Sequence, residues 1–355
     1  MRPRSPTPTS LHALGTRVDQ RLAGLLDAEV ERWQRVDPVL VEPLRALRRL
    51  VEAGGKRLRP AFCHWAFVGA GGDPEDPRVV DAGAAFEMLH AFALVHDDVM
   101  DGSPTRRGER TAHLAFADAH RAAGWRGEAR RFGEGAAILV GDLAHVYADR
   151  LLGDVPGDVW SVWNDLRLEL NVGQYLDLRG TARADRDRRL AHRIARYKSG
   201  KYTVERPLHV GAALAGRLAD LRGPLSAYGD PLGEVFQLRD DMLGAFGDPA
   251  LTGKPVGQDL REGKPTPLLA VATERAATVE GAGPLLAAVG APELTDGDVA
   301  AIQRVLVDTG AVDEIERLID TLTARAVDAV EAADIAPEAR DELVELAWFV
   351  ASRDA

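Results

Sequence analysis

Apolar residues recur at three- and four-residue intervals along most of this chain. Val18, Leu22, Leu25, Leu26, Val30 and Trp33 mark an amphipathic helix over 18–33, and Val79, Val80, Ala84, Met88, Leu89, Phe92 and Val95 mark a longer one over 79–100. Pro38, a good first-turn residue, opens a helix that runs to about residue 51 and ends at Gly54-Gly55. Helical spacing continues over 61–69, 136–152, 160–177, 190–202, 208–218 and 224–246. It resumes over 268–355 with breaks at 281–284, 290–292 and 336–337. The segment 111–135 is less regular, and its polar part, 121–131, predicts a helix–loop insertion. Residues 1–10, rich in Pro, Ser, Thr and Arg, predict a disordered tail. No stretch alternates with period two, no linker divides the chain and no repeat of fixed period occurs. The expectation is one large all-α domain of ten or more helices over residues 11–355.

Composition narrows the classes. The chain has 355 residues, 46% of them hydrophobic, ample for a large core. Its single cysteine, Cys63, excludes an intramolecular disulfide and suits a reducing compartment. No run of apolar residues approaches the ~18 of a membrane span, and no signal-peptide core is visible near the N-terminus. A cytoplasmic protein is expected. The formal net charge of -11 argues against general nucleic-acid binding. A protein of this charge that handles phosphates needs local cation clusters and bound divalent metal.

The chemistry concentrates in Asp97-Asp98-Val99-Met100-Asp101 at the end of the helix over 79–100, followed by Arg106-Arg107. Asp97 and Asp101 fall about 40° apart on one helix face. Carboxylates ~6 Å apart repel by roughly 3 kcal/mol at an effective dielectric of 20. A cation relieves that repulsion, and oxygen-only ligands suit Mg²⁺, which shares its coordination with water and substrate phosphates. Alone, the pair also fits a solvated helix cap. A second acidic pair, Asp240-Asp241, stands in a similar setting, and cationic loops follow both. The loop over 247–267 carries Lys254, Asp259 and Lys264. Upstream, Lys56-Arg57-Leu58-Arg59-Pro60 puts three cations at a helix start, suited to a diphosphate or to a solvated turn. His90 lies two turns before Asp97 on the same face. Gln174 and Asp177 share a face at i,i+3. Gly200, in Tyr197-Lys198-Ser199-Gly200-Lys201-Tyr202, costs about 1 kcal/mol in mid-helix. It predicts a kink that exposes a backbone carbonyl and Lys198, unless Lys198 is a surface lysine beside a helix end. Asp142 is expected to be a buried capping or packing carboxylate without chemistry. Residues 268–355 are expected to supply packing alone. Carboxylates on two helices with basic loops beside each describe a cavity for diphosphates bridged by Mg²⁺. Phe92, Ala93 and Leu89 would form its apolar walls. Such a cavity suits a hydrocarbon diphosphate, and a dry wall protects an allylic carbocation from water.

With these motifs in view the chain resembles the trans-isoprenyl diphosphate synthases, the polyprenyl synthetase family. GGKRLRP, DDVMD followed by RRG, GQYLD, YKSGKYT, FQLRDD and the GK…D…GK loop stand in family order from Gly54 to Thr266. The resemblance implies that Asp97 and Asp101 bind two Mg²⁺ ions, and that Asp240, with Asp241 and Asp259, binds a third. It implies that Arg106, Lys198 and Lys254 hold the allylic diphosphate, with Lys264 within reach of it. Lys56, Arg57, Arg59, His90 and Arg107 would hold isopentenyl diphosphate. Ser199, Gln237 and the carbonyl near Lys198 would lie along the forming cation. Ionisation, condensation and proton loss would follow in that order. One departure stands out: the third Asp of the second motif is here Gly244, which leaves the third ion to Asp259, Asp241 or water.

In the family, bulk four and five residues before the first Asp sets the pocket floor. Ala93 and Phe92 occupy those positions, a pattern that resembles enzymes making twenty-carbon geranylgeranyl diphosphate; a fifteen-carbon farnesyl product is the alternative. Two further readings differ in class. A terpene cyclase shares the fold, but the Lys56–Arg59 cations and the 6% aromatic content oppose it. A catalytically silent partner subunit is favoured only by Gly244. A homodimer is implied by the resemblance alone.

Overall fold

The stripe beginning at Val79 becomes the helix around which the others pack in a computed structural model that describes residues 7–247 and 256–353. In chain order the helices are α1 Thr9–Gln34, α2 Val41–Glu52, α3 Leu58–Gly69, α4 Pro77–Asp101, α5 Ala112–Ala122, α6 Ala129–Leu152, α7 Gly157–Ala182 and α8 Arg188–Ile194. A π-helical segment, Ala195–Glu205, leads into α9 Arg206–Leu214 and α10 Leu218–Phe246. Then come α11 Gln258–Glu262, α12 Pro267–Glu274, α13 Ala282–Ala287, α14 Asp296–Asp308, α15 Ala311–Glu331 and α16 Pro337–Ser352. The expected all-α class holds. The one strand pairing among the described residues is a two-residue antiparallel hairpin, Thr105–Arg106 with Glu109–Arg110. Its turn needs positive φ at both central residues, met by Arg107 (φ 53°) and Gly108 (φ 79°).

Helix α4 packs on α6, α3 and α1 through Val79, Ala82, Ala85, Phe86, Met88 and Leu89, all buried. By length and composition α4 could cross a membrane, with a mean hydropathy of 1.3 over an 18-residue window, so one helix does reach the apolar length that the sequence appeared to lack. Most of that window, 61%, is buried inside this bundle. Every residue of α3 is buried between α4, α9 and α16. Such core burial, at about 25 cal/mol per Å² of apolar surface, is the main force holding the helices in register.

Several expectations need correction. The tail does not reach residue 10, because α1 starts at Thr9 and its Ser10 hydroxyl donates to Glu342; residues 1–6 lie outside the described residues. Within 111–135, α5 and the start of α6 are regular helices, since Ala117 and Ala137 bury one face of each. Asp142 is exposed, its side chain 59% accessible, because it points off the outer face of α6. Gly200 produces no simple kink. It lies in the π-helical segment, where a Cβ would stand 3.0 Å from the backbone of Gly233 on α10. On the other side, a Cβ at Gly173 of α7 would stand 2.3 Å from the Lys198 backbone nitrogen. Paired glycines let the widened turn press between two helices, and π-turns of this kind commonly mark functional sites.

Candidate active site

The C-terminal half of α4, the start of α3, α7, the π-helical segment, α10 and the stretch after α11 enclose a cavity of about 520 Å³. Ala93, Leu94, Leu170, Ile194 and Phe236 give it apolar walls. Its two ends differ in chemistry.

One end is cationic. Lys56, Arg57, Arg59 and Arg107 line it with His90 and Glu87. Arg57 starts α3 in the left-handed region (φ 51°), a conformation that costs about 1–2 kcal/mol outside glycine. Its guanidinium is fixed by Asp19 (2.7 Å), by buried Glu87 and by the Val51 carbonyl (3.0 Å). Those contacts take up most of its donors, so Arg57 shapes this end more than it reaches into the cavity. Arg59 donates to the Thr203 hydroxyl (3.0 Å) and lies 4.1 Å over the Tyr202 ring, while its buried Nε makes no hydrogen bond. The Tyr202 hydroxyl hydrogen-bonds His90 Nδ1. Burial first, and then the surrounding arginines, hold His90 well below its usual range and therefore neutral. Burial, and the neighbouring cations Arg57, Arg106 and Arg59, also lower Arg107 against the pull of Glu87. Crowded cations with an unused buried donor suit an anion.

The other end interleaves carboxylates with lysines. Asp97 Oδ1 accepts from Lys198 Nζ (2.9 Å) and Gln174 Nε2 (2.9 Å), and Lys198 also donates to Asp177. Burial opposes the Asp97 charge, but Lys198, Lys264 and Arg106 outweigh it and hold the carboxylate well below the usual range. Asp98 faces away from this contact and anchors Arg106 through its Oδ1 (Nε 2.9 Å). Asp101, a turn further along α4, does not line the cavity; its Oδ2 lies 3.3 Å from Lys264 Nζ. Burial, and then Asp97 and Glu262 against the pull of Lys264 and Lys198, push Asp101 up to about 6. Lys264 also pairs with Glu262 (2.8 Å) and lies 3.8 Å from Asp259. On α10, Gln237 Nε2 donates to Asp241 Oδ1 (2.6 Å), and Asp240 and Ser199 line the same cavity. Burial and the facing carboxylates of Asp259, Asp240 and Asp177 push Asp241 well above its ordinary range, against the Gln237 hydrogen bond.

No preformed group of three metal-ligating side chains exists among the described residues. The donor set nevertheless fits Mg²⁺, which takes one or two carboxylates and completes its shell with phosphate and water. Asp241 Oδ2 is a buried carboxylate oxygen that makes no hydrogen bond, an open position for a hard cation, whereas Asp101 Oδ2 is paired with Lys264 Nζ.

Of the residues singled out in the sequence, Lys56, Arg57, Arg59, His90, Ala93, Asp97, Arg106, Arg107, Lys198, Ser199, Gln237, Asp240, Asp241, Asp259 and Lys264 share this cavity wall. Lys254 lies outside the described residues. Two expected wall residues lie off it. Leu89 is in the core, and Phe92 turns toward α6, stacked on His145 (4.9 Å) and edge-on to His96 (4.7 Å). The reason is angular: Phe92 sits about 140° around α4 from Asp97, whereas Ala93 is only about 40° away. Arg353 was not foreseen, because residues 268–355 read as packing alone. It follows α16, packs its guanidinium 4.0 Å over Phe236, donates to the Phe236 carbonyl (2.9 Å) and reaches within 3.6 Å of Asp240. A lone cation past the last helix was its only signal. Gln174, Asp177 and Tyr202 stood inside noted motifs without an assigned role.

A helical bundle whose cavity carries a cluster of cations, lysine-bridged carboxylates and apolar walls suits an enzyme that brings two organic phosphates together. Residues 42–304 match the polyprenyl synthetase family model, and the chain belongs to that family of prenyltransferases. It is 31% identical over 288 residues to geranylfarnesyl diphosphate synthase of Aeropyrum pernix, covering 79% of this chain and 84% of that one. It is 32% identical to geranylgeranyl diphosphate synthase of Mycobacterium tuberculosis, covering 85% and 81%. The crystal structure of geranylgeranyl pyrophosphate synthase from Corynebacterium glutamicum, complexed with isoprenyl diphosphate and magnesium, superposes with a TM-score of 0.90 at 37% identity, covering 96% of this chain and 99% of that one.

Proposed function

We propose that this protein condenses isopentenyl diphosphate with an allylic diphosphate in trans, giving geranylgeranyl diphosphate. The observation that carries this reading is the polarity of the cavity. Isopentenyl diphosphate binds at the cationic end, through Lys56, Arg59 and Arg107 with His90 beside them. The allylic diphosphate binds between α4 and α10, where Arg106, Lys198 and Lys264 take its oxygens; Lys254, outside the described residues, is assigned to it by the family resemblance alone. Asp97, Asp101, Asp240, Asp241 and Asp259 would hold three Mg²⁺ ions, which neutralise the departing diphosphate when bound. Lys198 and Lys264 now satisfy these carboxylates and are within reach of the phosphate. Ala93, Leu94 and Phe236 keep water from the allylic carbon as it loses the diphosphate. Gln237 and Ser199 orient their dipoles along the cation, and the released diphosphate is the nearest base for the final proton. Small Ala93 on the wall supports the twenty-carbon product.

We also infer a cytoplasmic homodimer. α6 and α7, joined by the Arg167–Asp149 pair (2.9 Å), present Leu139, Val146, Leu168, Val172 and Tyr175 to solvent, each more than half exposed. Large apolar side chains exposed together on neighbouring helices suit a protein–protein interface. The unpaired, buried Cys63 suits a reducing compartment.

Calorimetry tests the division of the cavity. Isopentenyl diphosphate should bind with and without Mg²⁺ and should lose its affinity in Arg59→Ala, whereas a non-hydrolysable allylic analogue should bind only with Mg²⁺. A Mg²⁺ requirement for both ligands would overturn the assignment of the two ends.

A further inference from the structure

Positions 240 and 244 on α10 repeat the i,i+4 spacing of Asp97 and Asp101 on α4, but residue 244 is glycine. The space is not vacant. A Cβ at Gly244 would stand 1.8 Å from Asp259 Oδ2, 2.4 Å from its Cγ and 3.1 Å from its Oδ1. The Asp259 carboxylate therefore fills the volume that the first atom of any side chain at 244 would need. Asp259 lies in α11, which packs on α10, and its side chain is buried. Beside it, Asp241 Oδ2 is buried on the same cavity wall without a hydrogen bond. Lys264, 3.8 Å from Asp259, continues to Asp101 on α4 at 3.3 Å.

We propose that Asp259 replaces the absent third carboxylate of α10, and that Gly244 is required because it admits Asp259. The two residues form one unit: the helix gives the space and α11 gives the charge. This inference rests on reading the Asp240–Asp241 face as a metal–diphosphate site. It explains why Gly244 is no mark of a silent subunit. Adding an aspartate at 244 would not add a ligand; it would expel one and loosen the Lys264 bridge toward Asp101.

The test is Mn²⁺ binding to the full-length protein in the presence of inorganic pyrophosphate, followed by electron paramagnetic resonance and calorimetry. Gly244→Ala should weaken the weakest-held ion about tenfold, and Asp259→Asn should do the same. The double variant should be no worse than either single one, because both remove the same contact. Gly244→Asp should bind less well than the wild type, and Gly244→Asp combined with Asp259→Ala should recover part of the loss. Thermal melts should stay near wild type, since the displaced group is only the end of a side chain and alanine is the better helix former. Wild-type Mn²⁺ binding by Gly244→Ala, tighter binding by Gly244→Asp, or additive losses in the double variant would overturn the proposal. Asp240→Asn separates the levels. If it too leaves the Mn²⁺ isotherm unchanged, the metal-site reading itself fails; if it weakens binding while Gly244→Ala does not, only the coupling of 244 and 259 fails.

Discussion

The acidic ends of α4 and α10 face one cavity but are built differently. On α4 the carboxylates come from one helical turn, and each has a fixed cationic partner: Asp97 has Lys198, Asp98 has Arg106 and Asp101 has Lys264. On α10 one aspartate is buried with an oxygen that makes no hydrogen bond, the next turn ends in glycine, and a carboxylate from α11 occupies the glycine's space. Local spacing organises the first region, and tertiary packing organises the second. Mutations on α4 therefore remove carboxylates that local spacing supplies, whereas those around α10 should be coupled through the contact of positions 244 and 259.

The largest expected effect comes from the α4 side. Asp97→Ala removes the partner of both Lys198 and Gln174 and should lower kcat about 10³-fold with an unchanged far-UV spectrum. Retained turnover would remove α4 from the chemistry. Asp98→Ala leaves Arg106 without its anchor, a loss of about 2 kcal/mol from a buried charged hydrogen bond. KM for the allylic substrate should rise roughly 30-fold while KM for isopentenyl diphosphate stays level. Equal changes in both would show that Arg106 serves the whole cavity. Tyr202→Phe cuts the link to His90 and should raise KM for isopentenyl diphosphate severalfold, for a hydrogen bond of about 1 kcal/mol. An effect on the allylic substrate instead would misplace the cationic end.

The smallest effect lies outside both acidic regions and serves as a control. Burial, with Arg17 nearby, pushes His64 down to about 4. Because the unfolded histidine titrates near 6.5, the unfolded state binds more protons between the two values. His64 thus contributes full stability above pH 6.5, loses roughly 0.7 kcal/mol of it between pH 7 and 6, and loses the rest as pH falls through about 4. Denaturant melts should show this slope equally with and without Mg²⁺; a slope abolished by Mg²⁺ would assign it to the carboxylates instead.

The same contrast explains what the sequence disclosed. DDVMD was legible because its carboxylates are neighbours on one turn of a helix whose apolar stripe is continuous. Lys198 was legible as a cation beside a mid-helix glycine, and Lys264 as a cation in a glycine-marked loop. The filling of Gly244 was not, because residue 259 is fifteen positions away and reaches α10 only by folding. Arg353 was hidden for the same reason, at the end of a stretch whose pattern spoke only of packing. Phe92 shows the limit of positional analogy: its number suggested a wall, but its angle on α4 turns the ring to His145. The helices around 190–205 were foreseen, yet the π-helical turn depends on glycines 173 and 233 from two other helices.

Product analysis tests the central claim most directly. The purified protein would be incubated with labelled isopentenyl diphosphate and, separately, dimethylallyl, geranyl or farnesyl diphosphate, with Mg²⁺ or with excess chelator, and the products resolved by mass. Mg²⁺-dependent incorporation of label into a single twenty-carbon diphosphate is the predicted result. Cyclised hydrocarbon formed without isopentenyl diphosphate, or no turnover with any primer, would contradict it.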